Sequence, residues 1–354
     1  MGYSRRQISR FMSCLIVRKL MCPTISIVIP AYNEERFIED CLNSVYQQDY
    51  PREQLEVIVV DGNSHDRTAE IIRERFPQVK LLHNPRKIVP VSMNIGIKAA
   101  QGVYIIRLDV HCVYPNDYFS RLVHFMEAHP EADNVGGVCK TLPANDTPKA
   151  EAIAIALSSK FGMGNSEFRV GAKEIKEVDT VPFGCYRREV FDKIGGYDEE
   201  LIRNQDNELN SRLKQHGGRI FLLPDLLIDY YARPTVKKCG RMFYQYGLFN
   251  PLVDKKLGQL SSLRRMVPLF FVLYLILFVV LSVILPKLTL WFATPLLLYL
   301  LIDIVASLKH IAKPKVALWL LCIYPVIHIN YGIGYIDGIL RLLFRRSFVA
   351  EANR

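Results

Sequence analysis

Hydrophobic residues in the first third of the chain come in short unbroken runs, each ended by acids or polar residues. The runs lie in Ser26–Glu35 (SIVIPAYNEE), Val57–Thr68 (VIVVDGNSHDRT) and Tyr104–His111 (YIIRLDVH). Four or five consecutive Val/Ile residues fit strands buried on both faces, as in a parallel sheet covered by helices. Between the runs the pattern shifts to helical spacing. Phe37, Ile38, Cys41, Leu42 and Val45 mark a helix over 36–48, and Asp66 and Thr68 are candidate caps for one over 69–76. Segments 91–100 and 117–128 supply two more helices, with strands at 55–60, 79–82, 103–108 and 134–138. Repeated β–α units at this spacing predict an α/β domain with a mainly parallel, doubly wound sheet.

Further along, 150–173 fits either a mobile loop or a helix followed by a surface loop. Asp206 falls at a loop-to-helix junction, with Leu209 and Leu213 as the buried face of the helix that follows. Beyond residue 266 the composition turns apolar. Val267–Leu285 is 19 residues without a charge, Leu288–Leu308 carries only Asp303, and Val316–Leu340 contains His328, Asn330 and Asp337. Each is long enough to cross a bilayer. A turn at Pro286-Lys287 makes the first two a hairpin, and Lys309, Lys313 and Lys315 place the next loop in the cytoplasm by the positive-inside rule. Three full spans would put Arg341, Arg345 and Arg346 outside, so the third block is expected to be re-entrant or interfacial, with a cytoplasmic C-terminus. The expected layout is a basic tail (1–22), a catalytic domain (23–250), a basic linker (251–266), membrane segments (267–341) and a second basic tail (342–354).

Charge and cysteine content narrow the partners. The net charge is +10, yet the basic residues gather beside apolar stretches (Lys255, Lys256, Arg264, Arg265), which suits an anionic membrane surface. No nucleic-acid motif accompanies them, so no nucleic acid is expected. Eight cysteines are scattered without metal-site spacing, which predicts reduced, mostly buried thiols.

In open parallel sheets ligands bind outside the carboxyl ends of the strands. Glu34, Asp61, Asp109 and His111 would all collect there. Asp61, before Gly62, is placed either to bond a nucleotide's ribose or base or to close an Asx turn. Asp109 and His111 flank Val110 and so share one side of an extended segment. A carboxylate and an imidazole suit Mn²⁺ or Mg²⁺ bridging a diphosphate; the alternative is a turn aspartate with a surface histidine. Asp206 is a candidate general base or a helix cap, with Glu208 ranked second because the helical turn faces it away.

PAYNEE, VVDGNSxDxT, RLDVHxxYP and NQDNELNxRL, in this order and spacing, resemble the inverting family 2 glycosyltransferases, and among them the bacterial succinoglycan type of exopolysaccharide enzyme. The likeness runs over about residues 24–250. It implies a GT-A fold followed by C-terminal membrane helices, a nucleotide-diphosphate sugar donor (UDP-sugar expected), and a divalent metal. Position by position it implies nucleotide contacts at Pro30, Ala31, Tyr32, Glu34, Asp61 and Asp109, metal ligation by Asp109 and His111, and Asp206 as catalytic base. Gly184, Gln205 and Glu208 would lie near the donor sugar or acceptor. His111 stands where a second aspartate is usual, and Gln205 where a glutamate often precedes the base. No QxxRW motif follows, which favours transfer of a single sugar over processive synthesis.

With the apolar blocks, the resemblance implies a multi-pass protein of the inner or plasma membrane with a cytoplasmic catalytic domain. Its acceptor would be a saccharide hydroxyl on a polyprenyl diphosphate. A polyprenyl-phosphate glycosyltransferase is the alternative enzyme, and a non-catalytic nucleotide-binding membrane scaffold the alternative of another class.

Overall fold

The computed structural model describes residues 23–260 and 263–348; the basic tail at 1–22 and the end of the second tail lie outside the described residues. Along the chain run β1 (Ile25–Ala31), α1 (Ile38–Tyr46), β2 (Leu55–Asp61), α2 (Thr68–Arg75), β3 (Lys80–His83), α3 (Val89–Ala99), β4 (Tyr104–Arg107) and α4 (Tyr118–Ala128). There follow β5 (Asn134–Leu142), α5 (Pro148–Ser158), β6 (Cys185–Arg187), α6 (Arg188–Ile194), α7 (Gln205–Gln215), β7 (Ile220–Tyr231) and α8 (Val236–Leu257). Three apolar helices close the series: α9 (Val267–Ile284), α10 (Thr289–Leu308) and α11 (Pro314–Leu343). The helix after residue 147 resolves the loop-or-helix choice: Pro148 starts α5, and the Thr147 hydroxyl accepts the Ala150 N–H.

Two compact units divide the chain. The first takes it up to Gly136, with Phe183–Gly196 and Gly218–Phe221. There β1 pairs in parallel with β2 and β4, and β2 with β3. The uninterrupted Val/Ile runs are explained by burial, since every residue of β1 and β4 is buried. Beyond β4 the sheet changes sense, because β6 lies antiparallel to both β4 and the start of β5. The register sets Ala31 opposite Asp61, so β1 and β2 deliver their last residues side by side. Ile38, Cys41, Leu42 and Val45 are buried on α1 as the spacing predicts. Phe37 is not core; it stands 46 % exposed just before the helix.

The second unit comprises Gly137–Pro182, Tyr197–Gly217 and Leu222–Arg354. Leu209 and Leu213 form the buried face of α7, as expected. The hairpin turn is a single 3₁₀ turn at Pro286–Leu288. All three apolar helices are long and apolar enough to cross a membrane, but they are not equivalent. The most apolar windows of the first two are 11 % and 6 % buried, against 39 % for the third. α11 is one uninterrupted helix packed along α8, and its polar residues have partners. Tyr244 donates to Asp337, which also takes the Arg341 guanidinium at 2.9 Å; His328 meets the Tyr299 hydroxyl and the Phe161 carbonyl, each at 2.9 Å. The described cysteines are all free; Cys322 is exposed and the other five are buried.

Candidate functional site

In the first unit the loop after β1 is fastened to the loop after β2 by reciprocal bonds. Asn33, at a left-handed φ of 55°, donates its N–H to Ser64 Oγ (2.8 Å) and accepts the His65 N–H (2.8 Å). The Glu34 N–H donates to Thr68 Oγ1 (2.7 Å), and the Glu35 N–H to Asp66 (3.1 Å). Burial opposes ionisation of Asp66, but bonds from Thr68 and the backbone outweigh it and hold the carboxyl below the usual range. Asp66 accepts the Thr68 N–H at 3.0 Å, but the N-cap position of α2 is Arg67, which makes no side-chain cap bond, so neither Asp66 nor Thr68 is the cap the sequence suggested.

Asp61 is buried, and its carboxylate accepts the Ser64 N–H at 3.2 Å and 3.3 Å. The turn reading of Asp61 is therefore real, and it leaves the same carboxylate at the strand end where a ligand reading needs it. Pro30 and Ala31 end β1 beside it, and the Ala31 carbonyl accepts the Gly62 N–H at 2.7 Å. The Tyr32 ring meets the His65 ring edge-on at 6.5 Å and carries the Lys87 ammonium 5.9 Å from its centre. Lys87 Nζ also lies 3.1 Å from His65 Nε2. These two residues were not singled out from the sequence. The available signal was weak: Lys87 follows an Asn-Pro-Arg turn, and its backbone is left-handed, with φ 60°.

β4 ends at Arg107, so Asp109 and His111 sit on a loop beyond the strand, both half-buried on either side of buried Val110. The Asp109 N–H donates to the Tyr114 hydroxyl (2.8 Å), and its carboxylate accepts the His111 N–H (3.1 Å). Burial pushes the Tyr114 phenol well above its ordinary value, so this anchor stays protonated. Burial first, then the Asp109 charge, push the Cys41 thiol up to about 12. The His111 ring is held from two sides: Nε2 lies 2.9 Å from the Glu34 carboxylate, and Phe37 packs on it edge-on at 4.7 Å. Glu34 is only 2 % exposed. The structure thus joins Glu34 to the Asp109–His111 pair, a link between positions 77 apart that the sequence did not reveal. No group of three or more His, Cys, Asp or Glu residues able to hold a metal occurs among the described residues. Gly184 has a packing role, because a Cβ there would fall 2.1 Å from Asn134 Oδ1.

Gln205, Asp206 and Glu208 belong to the second unit, in the first turn of α7. There the helix's positive end attracts negative charge. Asp206 is half-buried. Glu208 is buried, and both its oxygens take the Arg212 guanidinium at 2.8 Å.

The fold is that of a GT-A-type glycosyltransferase domain. A mannosyltransferase from Pyrobaculum calidifontis, solved with GDP-Man and Mn²⁺, shares the fold with a TM-score of 0.55 at 17 % identity, over 94 % of this chain and 96 % of that one. The profile of glycosyl transferase family 2 matches residues 26–195. The succinoglycan biosynthesis protein ExoA of Rhizobium meliloti (strain 1021) is 34 % identical over 69 % of this chain and 74 % of its own length. The dolichyl N-acetyl-alpha-D-glucosaminyl phosphate 3-beta-D-2,3-diacetamido-2,3-dideoxy-beta-D-glucuronosyltransferase of Methanococcus voltae is 30 % identical over 66 % and 74 %. The chain belongs to glycosyl transferase family 2.

Proposed function

We propose that this protein is a membrane-associated inverting glycosyltransferase. It moves one sugar from a nucleotide-diphosphate sugar, UDP-sugar being the expected donor, to a hydroxyl of a polyprenyl-diphosphate-linked saccharide. The observation that carries the reading is the strand-end set in a chain of this family: Asp61 closing β2, and Asp109 with His111 beyond β4. Tyr32 and Asp61 would grip the nucleoside, with Pro30 and Ala31 shaping the floor beside them.

A divalent metal, Mn²⁺ or Mg²⁺, fits the Asp109–His111 pair. A metal-binding imidazole is ordinarily steered by a carboxylate on its other nitrogen, and Glu34 stands against His111 Nε2 at 2.9 Å. Bound there by Asp109 and His111, the ion would neutralise charge on the departing diphosphate. The mannosyltransferase that shares the fold was solved in complex with GDP-Man and Mn²⁺.

Asp206 takes the proton of the acceptor hydroxyl as that oxygen bonds to the anomeric carbon. The bond from that carbon to the diphosphate breaks on the opposite face, so configuration inverts and the nucleoside diphosphate leaves. The apolar helices keep the enzyme at the inner or plasma membrane with its catalytic part cytoplasmic, where a lipid-linked acceptor is presented. α9 and α10 cross as a hairpin, and α11, with its larger buried share, lies at the interface and returns the C-terminus to the cytoplasm. The Methanococcus relative is itself named for a dolichyl-linked acceptor.

The decisive experiment incubates membranes containing the protein with radiolabelled UDP- and GDP-sugars, with and without EDTA, and extracts the product into organic solvent. Label on a lipid-linked saccharide, abolished by EDTA, is the expected result. Label on bare polyprenyl phosphate would establish the alternative enzyme, and nucleotide-sugar binding without release of nucleoside diphosphate would establish a scaffold.

A further inference from the structure

We propose that α11, the last apolar helix, positions the base Asp206 through a buried hydrogen-bond chain, Tyr331–Asn250–Asn204. The proposal rests on the reading of Asp206 as base and concerns how that base is held. Asn204 is the residue before α7, two positions from Asp206, with a left-handed backbone of φ 61° and ψ 15°. A non-glycine residue keeps that conformation where its surroundings over-determine it. They do so here: the Asn204 side-chain amide donates to the Tyr246 carbonyl (2.9 Å) and to Asn250 Oδ1 (3.0 Å), both on α8. The Asn250 amide in turn donates to the Tyr331 hydroxyl on α11. Asn204 and Asn250 are both buried, 8 % and 2 % exposed, so each lost bond leaves a polar group without water.

The approach to α7 is docked on the same helix by other contacts. Arg203 Nε donates to Gln245 Oε1 at 2.9 Å, and Leu201 packs with Leu248, Phe249, Leu252 and Val253. Lys256 pairs with Asp198 and Glu200, each at 2.7 Å. α8 is therefore a shared spine, touched by both the base loop and α11. A general base works only within hydrogen-bond reach of its proton, and a shift of about 1 Å costs roughly a hundredfold in rate. Asn204, Asn250 and Tyr331 are accordingly positioning residues, and the last helix contributes to turnover as well as to membrane attachment.

The test is a double-mutant cycle in the full-length, detergent-solubilised protein, with kcat and donor KM measured for each variant. Asn204→Gly keeps a residue at home in the left-handed region and removes the clamp; Tyr331→Phe removes one hydroxyl at the far end of the chain. Each is expected to lower kcat about tenfold or more while donor KM stays within about twofold. In an Asp206→Asn background the same substitutions should cost less than about twofold more, because the group they position is gone. Undiminished kcat in both single variants, or losses that multiply fully with Asp206→Asn, would overturn the proposal. Near-normal turnover in Asp206→Asn alone would overturn the base assignment instead, and is distinguishable because it needs no second substitution. Tyr331→Phe is conservative enough to be read even if Asn204→Gly fails to fold.

Discussion

Gly334→Ala adds one methyl group where α8 and α11 touch backbone to backbone. A Cβ at Gly334 would lie 2.0 Å from the Tyr244 carbonyl oxygen, whereas ordinary contact begins at 3.4 Å. A carbonyl inside a helix cannot rotate away, so the helices must part by on the order of 1 Å, at a cost near the upper end of the overpacking range, about 3 kcal/mol. Alanine returns about 1 kcal/mol of helix propensity, leaving about 2 kcal/mol of net destabilisation. For a unit of this size that lowers the thermal midpoint by about 4–8 °C. The contact is repeated at Gly247 against the Tyr331 carbonyl (2.0 Å) and at Gly338 against the Leu248 carbonyl (2.4 Å), so no neighbouring gap can absorb the displacement. Thermal unfolding in detergent, followed by far-ultraviolet circular dichroism, reads the shift directly. Turnover should also fall more than donor affinity, because Tyr331 lies three residues away on the same helix. A Gly334→Ala protein as stable as the parent would mean that propensity wins and that α8 and α11 are not in backbone contact.

Asp61→Asn keeps an oxygen for the Ser64 N–H but loses the charge; donor KM should rise about tenfold to a hundredfold, matching the loss of a charged hydrogen bond, with little change in melting. An unchanged KM would reduce Asp61 to its turn role. His111→Ala should raise the Mn²⁺ concentration needed for half-maximal activity at least about tenfold, and an unaltered activation midpoint would remove His111 from the metal site. Asp66→Asn, which removes a negative charge beside the start of α2, should cost about 0.5 kcal/mol at neutral pH. Because the folded-state pKa of Asp66 lies below its unfolded value, its contribution is present above about pH 4 and fades as pH falls through the folded value. Urea denaturation at pH 7 and at pH 3 should therefore show the gap between parent and variant closing in acid, and a gap independent of pH would refute the assignment.

What was legible in the sequence was whatever leaves a local trace. The continuous runs of β1, β2 and β4 announced burial on both faces, while the register that sets Ala31 beside Asp61 came from the structure. The spacing of Leu209 and Leu213 announced the buried face of α7. What stayed hidden were pairings between distant residues, because no period or motif encodes them. Glu34 was read as a nucleotide contact and is also the partner of His111; Phe37 was read as core and instead packs on the same imidazole. The antiparallel change at β6 was equally silent, since a three-residue strand carries too little pattern to betray its direction.

The third apolar block shows why hydropathy alone falls short. His328, Asn330 and Asp337 made it awkward as a span, and each has its answer in a contact: His328 with Tyr299 and Phe161, Asn330 with the Val326 carbonyl, Asp337 with Tyr244 and Arg341. Polar groups in an apolar helix are retained where they face protein. Asp337, through Tyr244, lies toward α8, where Gly334 also meets the Tyr244 carbonyl, whereas His328 turns to Tyr299 and Phe161. Asp337 ties α11 to α8 at Tyr244, and Tyr331 ties it through Asn250 to the loop that starts the helix of Asp206.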